Sequence, residues 1–401
     1  MAHEALIVSS VRSPIAKAGT EKRKGTLSLV RPDDLMAQVL LGALAKVPTL
    51  PQSVLEDIIV GTSFPEGEQG FNIGRILSIC SGLPRSVTGQ TVNRFCASGL
   101  QAIVTGSAAV AQGYNAAVVA GGVESMTRIP MGGSSFLPNP LLTVPGGDTY
   151  MDMGMTAENV AKAFGISRED QDAMAYRSHM RAIAAQESGR QAGHIIPLTF
   201  ERTTMVDGTP TAVTISLTQD EGPRKDTSIA SLAKLRPAFL FDGTGSVTAG
   251  NSSQVSDGGA VTIIVNRDIA NQYGLVPLAR LVSFATAGNE PGLMGVAPIW
   301  AIPKALEKAG LSIADIGLFG LNEAFAAQWL AIQRTLNLNP EIVNVNGGAI
   351  AIGHPLGCTG ARDTADTLHE AILRGVRYFG VGMCVGGGQG AFAVFENLTI
   401  Q

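Results

Sequence analysis

The chain has 401 residues, 45% of them apolar and 15% charged, with 48 glycines and 20 prolines. That composition excludes a disordered, collagen-like or coiled-coil chain and suffices for two domains or one duplicated unit with an insertion. Twenty-nine basic against 33 acidic residues leave a net charge of −4, so nucleic acid and anionic membranes find no general attraction and an anionic ligand needs a local basic patch.

The run ALIVSS from Ala5 reads as a first strand; with Glu4 before it and so short an apolar stretch, it is no secretory signal. A helix is predicted from Asp33 to Lys46, then strands at DIIVGT from Asp57 and at QTVN ending at Asn93, which is α/β alternation. A helix follows Cys96, burying Leu100, Ile103, Val104, Ala108 and Val110, and AAVVAGG returns as a strand. Leu100 to Val123 carries no charge, but Gly113, Tyr114 and Asn115 interrupt it, so it reads as buried helix, turn and strand and not as a membrane span.

From Glu124 to Gly250 the alternation lapses. Ser167 with Asp170 starts a helix in capping-box fashion, predicted over Arg168 to Ser188. Ile129 to Gly147 is an uncharged stretch holding Phe136, Leu137, Leu141 and Leu142, expected to be a subunit contact or an acyl-pocket wall. A second series then begins near Ala279 with strand RLVSFA, a helix from Ala297 to Ala309, a strand near Gly317 and a helix from Glu323 to Leu336. It ends with strand IVNVN, a helix to Arg374, and strands YFGVGMC and GAFAVFE. The two series share one order, which implies duplication. The expected units are 1–123 plus 251–275, an inserted subdomain over 124–250, and 276–401.

Four cysteines without a CxxC pair fit a reducing compartment better than a disulfide scaffold. Cys96 lies where a strand ends and a helix begins, a nucleophile's position in which the helix macrodipole is expected to favour thiolate. His354 sits among Gly347, Gly348, Gly353 and Gly357, a backbone that lets a ring approach a ligand. Cys384 ends a strand and runs into Gly386, Gly387 and Gly388, whose N–H groups can be aimed at an oxygen; no Lys-Ser/Thr follows, so it is no phosphate loop. Asn322 opens a predicted helix, as its cap or as a holder of water. Such residues could bind zinc through Cys96, His354, Cys358 and Cys384, although the spacing is poor for a structural site. They could equally transfer acyl groups through a thioester.

The blocks VNRFCASGLQA, GGVESMTR, TAENVA, AKLRPAF, VTAGNSSQVSDG, NEAFA, GGAIAIGHPLGCTGAR and MCVGGGQG resemble the thiolase family, in order and over nearly the whole chain. The resemblance implies a duplicated five-layered α/β/α/β/α core with an inserted coenzyme A-binding loop subdomain, assembled as a homodimer or homotetramer. It makes Cys96 the acylated nucleophile, His354 its base and Cys384 the second acid/base. Backbone N–H groups of Cys96 and Gly386 would form one oxyanion site, and His354 with a water on Asn322 the other. Cys358 is left to packing. By the same resemblance Arg224 and Ser231 lie at the nucleotide end of coenzyme A, Ser253 near the pantetheine, and Ala249 and Met153 along it; Asp152 stands where some biosynthetic members carry histidine. Arg224, Lys225, Lys234 and Arg236 would supply the basic patch.

The activity implied is 3-ketoacyl-CoA cleavage in fatty-acid β-oxidation by a cytoplasmic enzyme, with acyl-CoA and coenzyme A as substrates, no permanently bound cofactor or metal, and a β-oxidation multienzyme partner as a further expected contact. HPLGCTGAR resembles degradative members, whereas biosynthetic acetyl-CoA acetyltransferases more often have alanine at the position of Cys358. A decarboxylating ketosynthase would carry a second histidine where Cys384 stands, and a non-catalytic acyl-CoA binding protein would not need the cysteine pair.

Overall fold

The computed structural model describes residues 3–19 and 25–400. The first half runs β1 (Ala5–Arg12), β2 (Ala16–Lys17), α1 (Pro32–Ala45), β3 (Asp57–Gly61), α2 (Ile73–Cys80), β4 (Thr88–Val92), α3 (Ser98–Ala111) and β5 (Ala117–Ser125). There follow α4 (Met153–Ala163), α5 (Arg168–Glu187), the hairpin β6 (Leu198–Val206) and β7 (Thr209–Leu217), and α6 (Ile229–Ala233). Strand β8 (Ser256–Asn266) then returns to the first sheet, followed by α7 (Arg267–Gln272). The second half runs β9 (Ala279–Gly288), α8 (Pro298–Ala309), β10 (Leu318–Leu321), α9 (Ala326–Thr335), α10 (Ala349–Ile352), α11 (Leu356–Arg374), β11 (Tyr378–Val385) and β12 (Gln389–Asn397).

Local signals account for the element ends. Pro32 occupies the first turn of α1 with Asp33 and Asp34 beside it, where a missing N–H costs nothing and negative charge faces the positive helix end. Ser167 caps α5 by accepting from the N–H of Asp170. Strands β5 and β11 are almost entirely buried, as apolar strands covered on both faces must be.

The strand order is β10-β11-β12-β9-β1-β8-β5-β3-β4. The same pairing appears twice. Strand β3 pairs parallel with β5, β5 antiparallel with β8, and β8 antiparallel with β1; β10 pairs parallel with β11, β11 antiparallel with β12, and β12 antiparallel with β9. The two half-sheets meet at one residue pair, Ile7 with Ala279. Helices α1 and α2 cover the outer face of the first through Leu35, Met36, Val39, Ile73 and Leu77, and α8 and α9 the outer face of the second through Ala301, Ile302, Trp329 and Ile332. Between the sheets lie α3 and α11, contributing Leu100, Ile103, Ala361 and Leu368. That stacking gives the five expected layers.

Glycine allows the central pair to touch. A Cβ on Gly99 would sit 2.8 Å from both Ala361 N and Gly357 O, so the helix backbones are in contact there.

Three local expectations fail. Ala108 is exposed and Val104 only half-buried, because the buried face of α3 runs instead through Ala102, Gly106 and Ser107. The run IVNVN is not a strand beyond a single bridge from Val343 to Phe319. There the side chain of Asn344 replaces a strand neighbour, its Oδ1 accepting from Leu321 N at 2.9 Å and its Nδ2 donating to Leu321 O at 2.7 Å. Helix α9 starts at Ala326 behind Phe325, so Asn322 is not its cap.

Candidate active site

Cys96 sits in a turn between β4 and α3, preceded by Phe95 at φ +41°, a left-handed conformation that costs a non-glycine residue energy and needs support. The support is local. Asn93 Oδ1 accepts from Phe95 N at 2.8 Å, while Ser98 Oγ accepts from Arg94 N at 2.9 Å and donates to Phe95 O at 2.6 Å.

The second half brings its own thiol to this turn. Cys384 is fully buried near the end of β11, close enough for negative charge on Cys96 to push its pKa up further. The backbone N–H groups of Gly386 and of Cys96 itself favour negative charge on the Cys96 sulfur. Cys96 keeps some surface, yet it is so densely surrounded that burial pushes its thiol up to about 12 against the pull of those two N–H groups. The expectation of a resting thiolate is therefore corrected: desolvation outweighs the helix end. Burial also pushes Cys384 up. Met153, Met294, Ala324 and Phe325 form one apolar cluster with Cys384.

Asn322 follows β10, its N–H donating to Gly382 O at 2.9 Å, two residues before Cys384 on the neighbouring strand. Its Nδ2 lies 3.3 Å from His354 Nε2, and its Oδ1 is buried with no partner among the described residues. His354 is 5% exposed and stands between α10 and α11. Gly353 before it adopts φ +119°, and any Cβ there would collide with Ser256 Oγ, so only glycine delivers the ring to this spot. His354 N donates to Gln254 O at 2.9 Å, and Nδ1 contacts Thr359 Oγ1 at 2.6 Å. Burial, helped by the Arg362 guanidinium, pushes the imidazole down to about 3, so the ring is neutral at pH 7. The turn holding Cys96 packs on both α11 and β11. Cys358 lies in the apolar layer between the sheets.

Glu124 is a participant that the sequence reading missed. It is fully buried at the end of β5, and its Oε2 accepts from Ser63 N and Gly357 N, both at 2.7 Å. Its Oε1 accepts from Gln69 Nε2 at 2.7 Å and Thr62 Oγ1 at 3.1 Å. One carboxylate thus fastens the first turn of α11 to the first half. An acid inside the otherwise uncharged run AVVAGGVES was the visible signal.

The residues expected along coenzyme A are more dispersed. Met153 opens α4 beside Cys384, with its sulfur 3.8 Å from where a Cβ on Gly386 would lie. Ser253 N donates to Ala324 O at 2.9 Å, tying that segment to the Asn322 turn, and Ala249 is exposed. Arg224 and Ser231 lie on the exposed rim; Ser231 also closes a capping box with Ser228 at the start of α6. Lys225 pairs with Glu187 at 2.6 Å, which reduces the expected local charge. Asp152 caps α4, accepting from Gly154 N at 2.8 Å. A separate cleft of about 480 Å³ opens at the far end of α11, lined by Val8, Val11, His194 and His369; it lacks a thiol, so chemistry rather than volume locates the site.

A duplicated α/β chain that joins a strand-to-helix cysteine from one half to a cysteine, a glycine loop and an Asn–His pair from the other defines a thiol-centred class of protein. Residues 5–268 match the thiolase N-terminal domain and residues 275–397 the thiolase C-terminal domain. The chain belongs to the thiolase family. It is 46% identical over 394 residues to a 3-ketoacyl-CoA thiolase of Bacillus subtilis (strain 168), covering 98% of this chain and 99% of that one. It is 44% identical to 3-ketoacyl-CoA thiolase B, peroxisomal, of Rattus norvegicus, covering 98% and 91%. The crystal structure of the Bacillus anthracis acetyl-CoA acetyltransferase superposes with a TM-score of 0.88 at 38% identity, covering 99% of both chains.

Proposed function

We propose that this protein is an acyltransferase that cleaves 3-ketoacyl-CoA with coenzyme A to acetyl-CoA and a shortened acyl-CoA. The observation that carries the reading is the packing of the Cys96 turn both on β11, which holds Cys384 and leads into Gly386, and on α11, just ahead of which His354 meets Asn322. Thiol and imidazole are both neutral at rest, so proton transfer from Cys96 to His354 accompanies attack on the 3-keto carbon. The oxygen that becomes negative is received by the N–H groups of Cys96 and Gly386, a site where one donor is typically worth about 3 to 4 kcal/mol. The C2–C3 bond breaks, its electron pair passes to acetyl-CoA as the enolate, and Cys384 supplies the proton to that carbon. The enolate oxygen rests on His354 and on a water held by the orphaned Oδ1 of Asn322. Cys384 then takes the proton of incoming coenzyme A, whose thiolate lifts the acyl group from Cys96.

Coenzyme A enters as a substrate, with Met153, Ala249 and Ser253 along its path and Arg224 and Ser231 at the nucleotide end; no resident cofactor is required. Identity of 42–46% to proteins named 3-ketoacyl-CoA thiolase, against 38% to the acetyltransferase, supports the degradative over the biosynthetic direction. Four free cysteines support a cytoplasmic setting. The partly exposed edge strand β4 and the exposed Phe136, Leu137 and Leu141 support a homodimer or homotetramer and provide surface for a β-oxidation partner. The test is to supply 3-ketoacyl-CoAs of increasing length with coenzyme A, follow loss of the keto species, and look for an acyl adduct on Cys96 by mass spectrometry. Turnover with that adduct is expected. No consumption at any length, with Cys96 unmodified, would overturn the reading.

A further inference from the structure

The chemistry above needs one particular nitrogen of His354 to be bare. We propose that Thr359 is a positioning residue that holds His354 in the tautomer with its proton on Nδ1, keeping Nε2, which faces Asn322, unprotonated. This deepens the thiolase reading and rests on it.

Thr359 is fully buried on the first turn of α11, and its hydroxyl has one proton but two close neighbours. They are His354 Nδ1 at 2.6 Å and the carbonyl oxygen of Pro355 at 2.9 Å. A carbonyl oxygen can only accept. The hydroxyl therefore donates to Pro355 O, and one of its two lone pairs accepts from an Nδ1–H. The opposite assignment would turn the hydroxyl proton to Nδ1 and leave two oxygens facing each other at 2.9 Å without a hydrogen between them, in a place closed to water. The far side of the ring agrees. The amide Nδ2 of Asn322, a donor, lies 3.3 Å from Nε2, as a bare Nε2 requires. Asn322 is itself held by its N–H to Gly382 O at 2.9 Å and by Gln328 Nε2, which donates to Asn322 O at 3.2 Å.

The arrangement also explains a local feature of the helix. A threonine bonding back to the carbonyl four residues earlier slightly weakens a helix, and here that bond fixes the direction of the hydroxyl. Serine would preserve the device and valine would remove it while conserving shape.

In Thr359→Val, kcat for thiolysis is expected to fall about 10- to 100-fold, the usual cost of losing a group that orients a reactive imidazole, with KM for both substrates within about twofold. Thr359→Ser is expected to recover most of kcat. In parallel, ¹⁵N-histidine spectra of the wild-type protein, with His354 assigned by its loss in His354→Gln, are expected to show a protonated Nδ1 and a bare Nε2. A protonated Nε2 would overturn the proposal, as would a Thr359→Val enzyme within twofold of wild type. So would a Thr359→Ser enzyme as slow as Thr359→Val when both melt like wild type. If Thr359→Val does not fold, the wild-type spectrum and the serine variant decide. Wild-type protein inert toward every 3-ketoacyl-CoA would instead count against the thiolase reading, and the spectrum would still report the tautomer.

Discussion

A cysteine that keeps its proton at rest behaves differently from the activated thiolate that its place beside a helix suggests. With burial holding Cys96 at about 12, alkylation of the free enzyme by iodoacetamide should go on accelerating from pH 7 to pH 10; a plateau by pH 8 would show that the thiolate forms early. Replacing Cys96 by Ser or Ala should lower thiolysis at least about 1,000-fold with folding intact. A loss below tenfold, seen in steady-state assays of purified variants, would remove Cys96 from the reaction. Cys96, His354, Cys384 and Asn322 stood out as candidates in the sequence because each stands at an element boundary marked by glycine or by an abrupt end to an apolar run. Thr359 did not, and Glu124 showed only as an acid inside an uncharged run. Their partners are defined by hydroxyl direction and by contacts across the two halves, and neither leaves a spacing pattern.

At the level of helices and strands, the contact between α3 and α11 sets the geometry of the candidate site, since Cys96 precedes one and His354 the other. Ala in place of Gly99 would press a methyl into the α11 backbone and should cost about 2 kcal/mol or more, measured by urea titration; an unchanged midpoint would mean that the helices can separate freely. Glu124→Gln retains the shape but offers fewer acceptors to Ser63, Gly357, Gln69 and Thr62. We expect lower stability together with reduced kcat, because the turn after His354 loses its tether. Most strands were readable as apolar runs, but IVNVN was misleading: alternation cannot reveal that an Asn side chain will take a strand's place. The hairpin β6–β7 went unread within the insertion, although LTFERTTMV alternates in burial over its first residues, because the exposed strand lacks the apolar density of the core.

Over the whole molecule, buried histidines shape the response to acid. His354 and His179 are pushed down to about 3 and about 4 by burial, and His369 is lowered as well. Below about pH 6.5 the unfolded chain takes up protons that these folded rings refuse, so they withdraw stability as pH falls from about 6.5 toward 4. Asp257, pushed up to about 6, acts in the opposite sense. Comparing denaturation of wild type and His354→Gln at pH 7 and pH 5 isolates one ring: the variant should lose less stability on acidification, and an equal loss would contradict the assignment. Ionic strength offers a separate test. Removing the charges of Arg224, Lys234 and Arg236 together should raise KM for coenzyme A about tenfold in dilute buffer, with the gap closing in about 0.5 M salt. A salt-independent gap would argue against an electrostatic role.

The repeated strand pairing has one more consequence. Gly61 lies opposite Gly122 as Leu321 lies opposite Gly382, so the counterparts of Asn322 and Cys384 in the first repeat are Thr62 and Glu124. Those two residues bond to each other, sealed beneath Gly357. The first repeat thus fills with a tether the place that the second gives to its thiol and amide, and that tether secures the opposite repeat through Gly357. Exhaustive titration with a radiolabelled acyl donor should accordingly end at one equivalent per polypeptide.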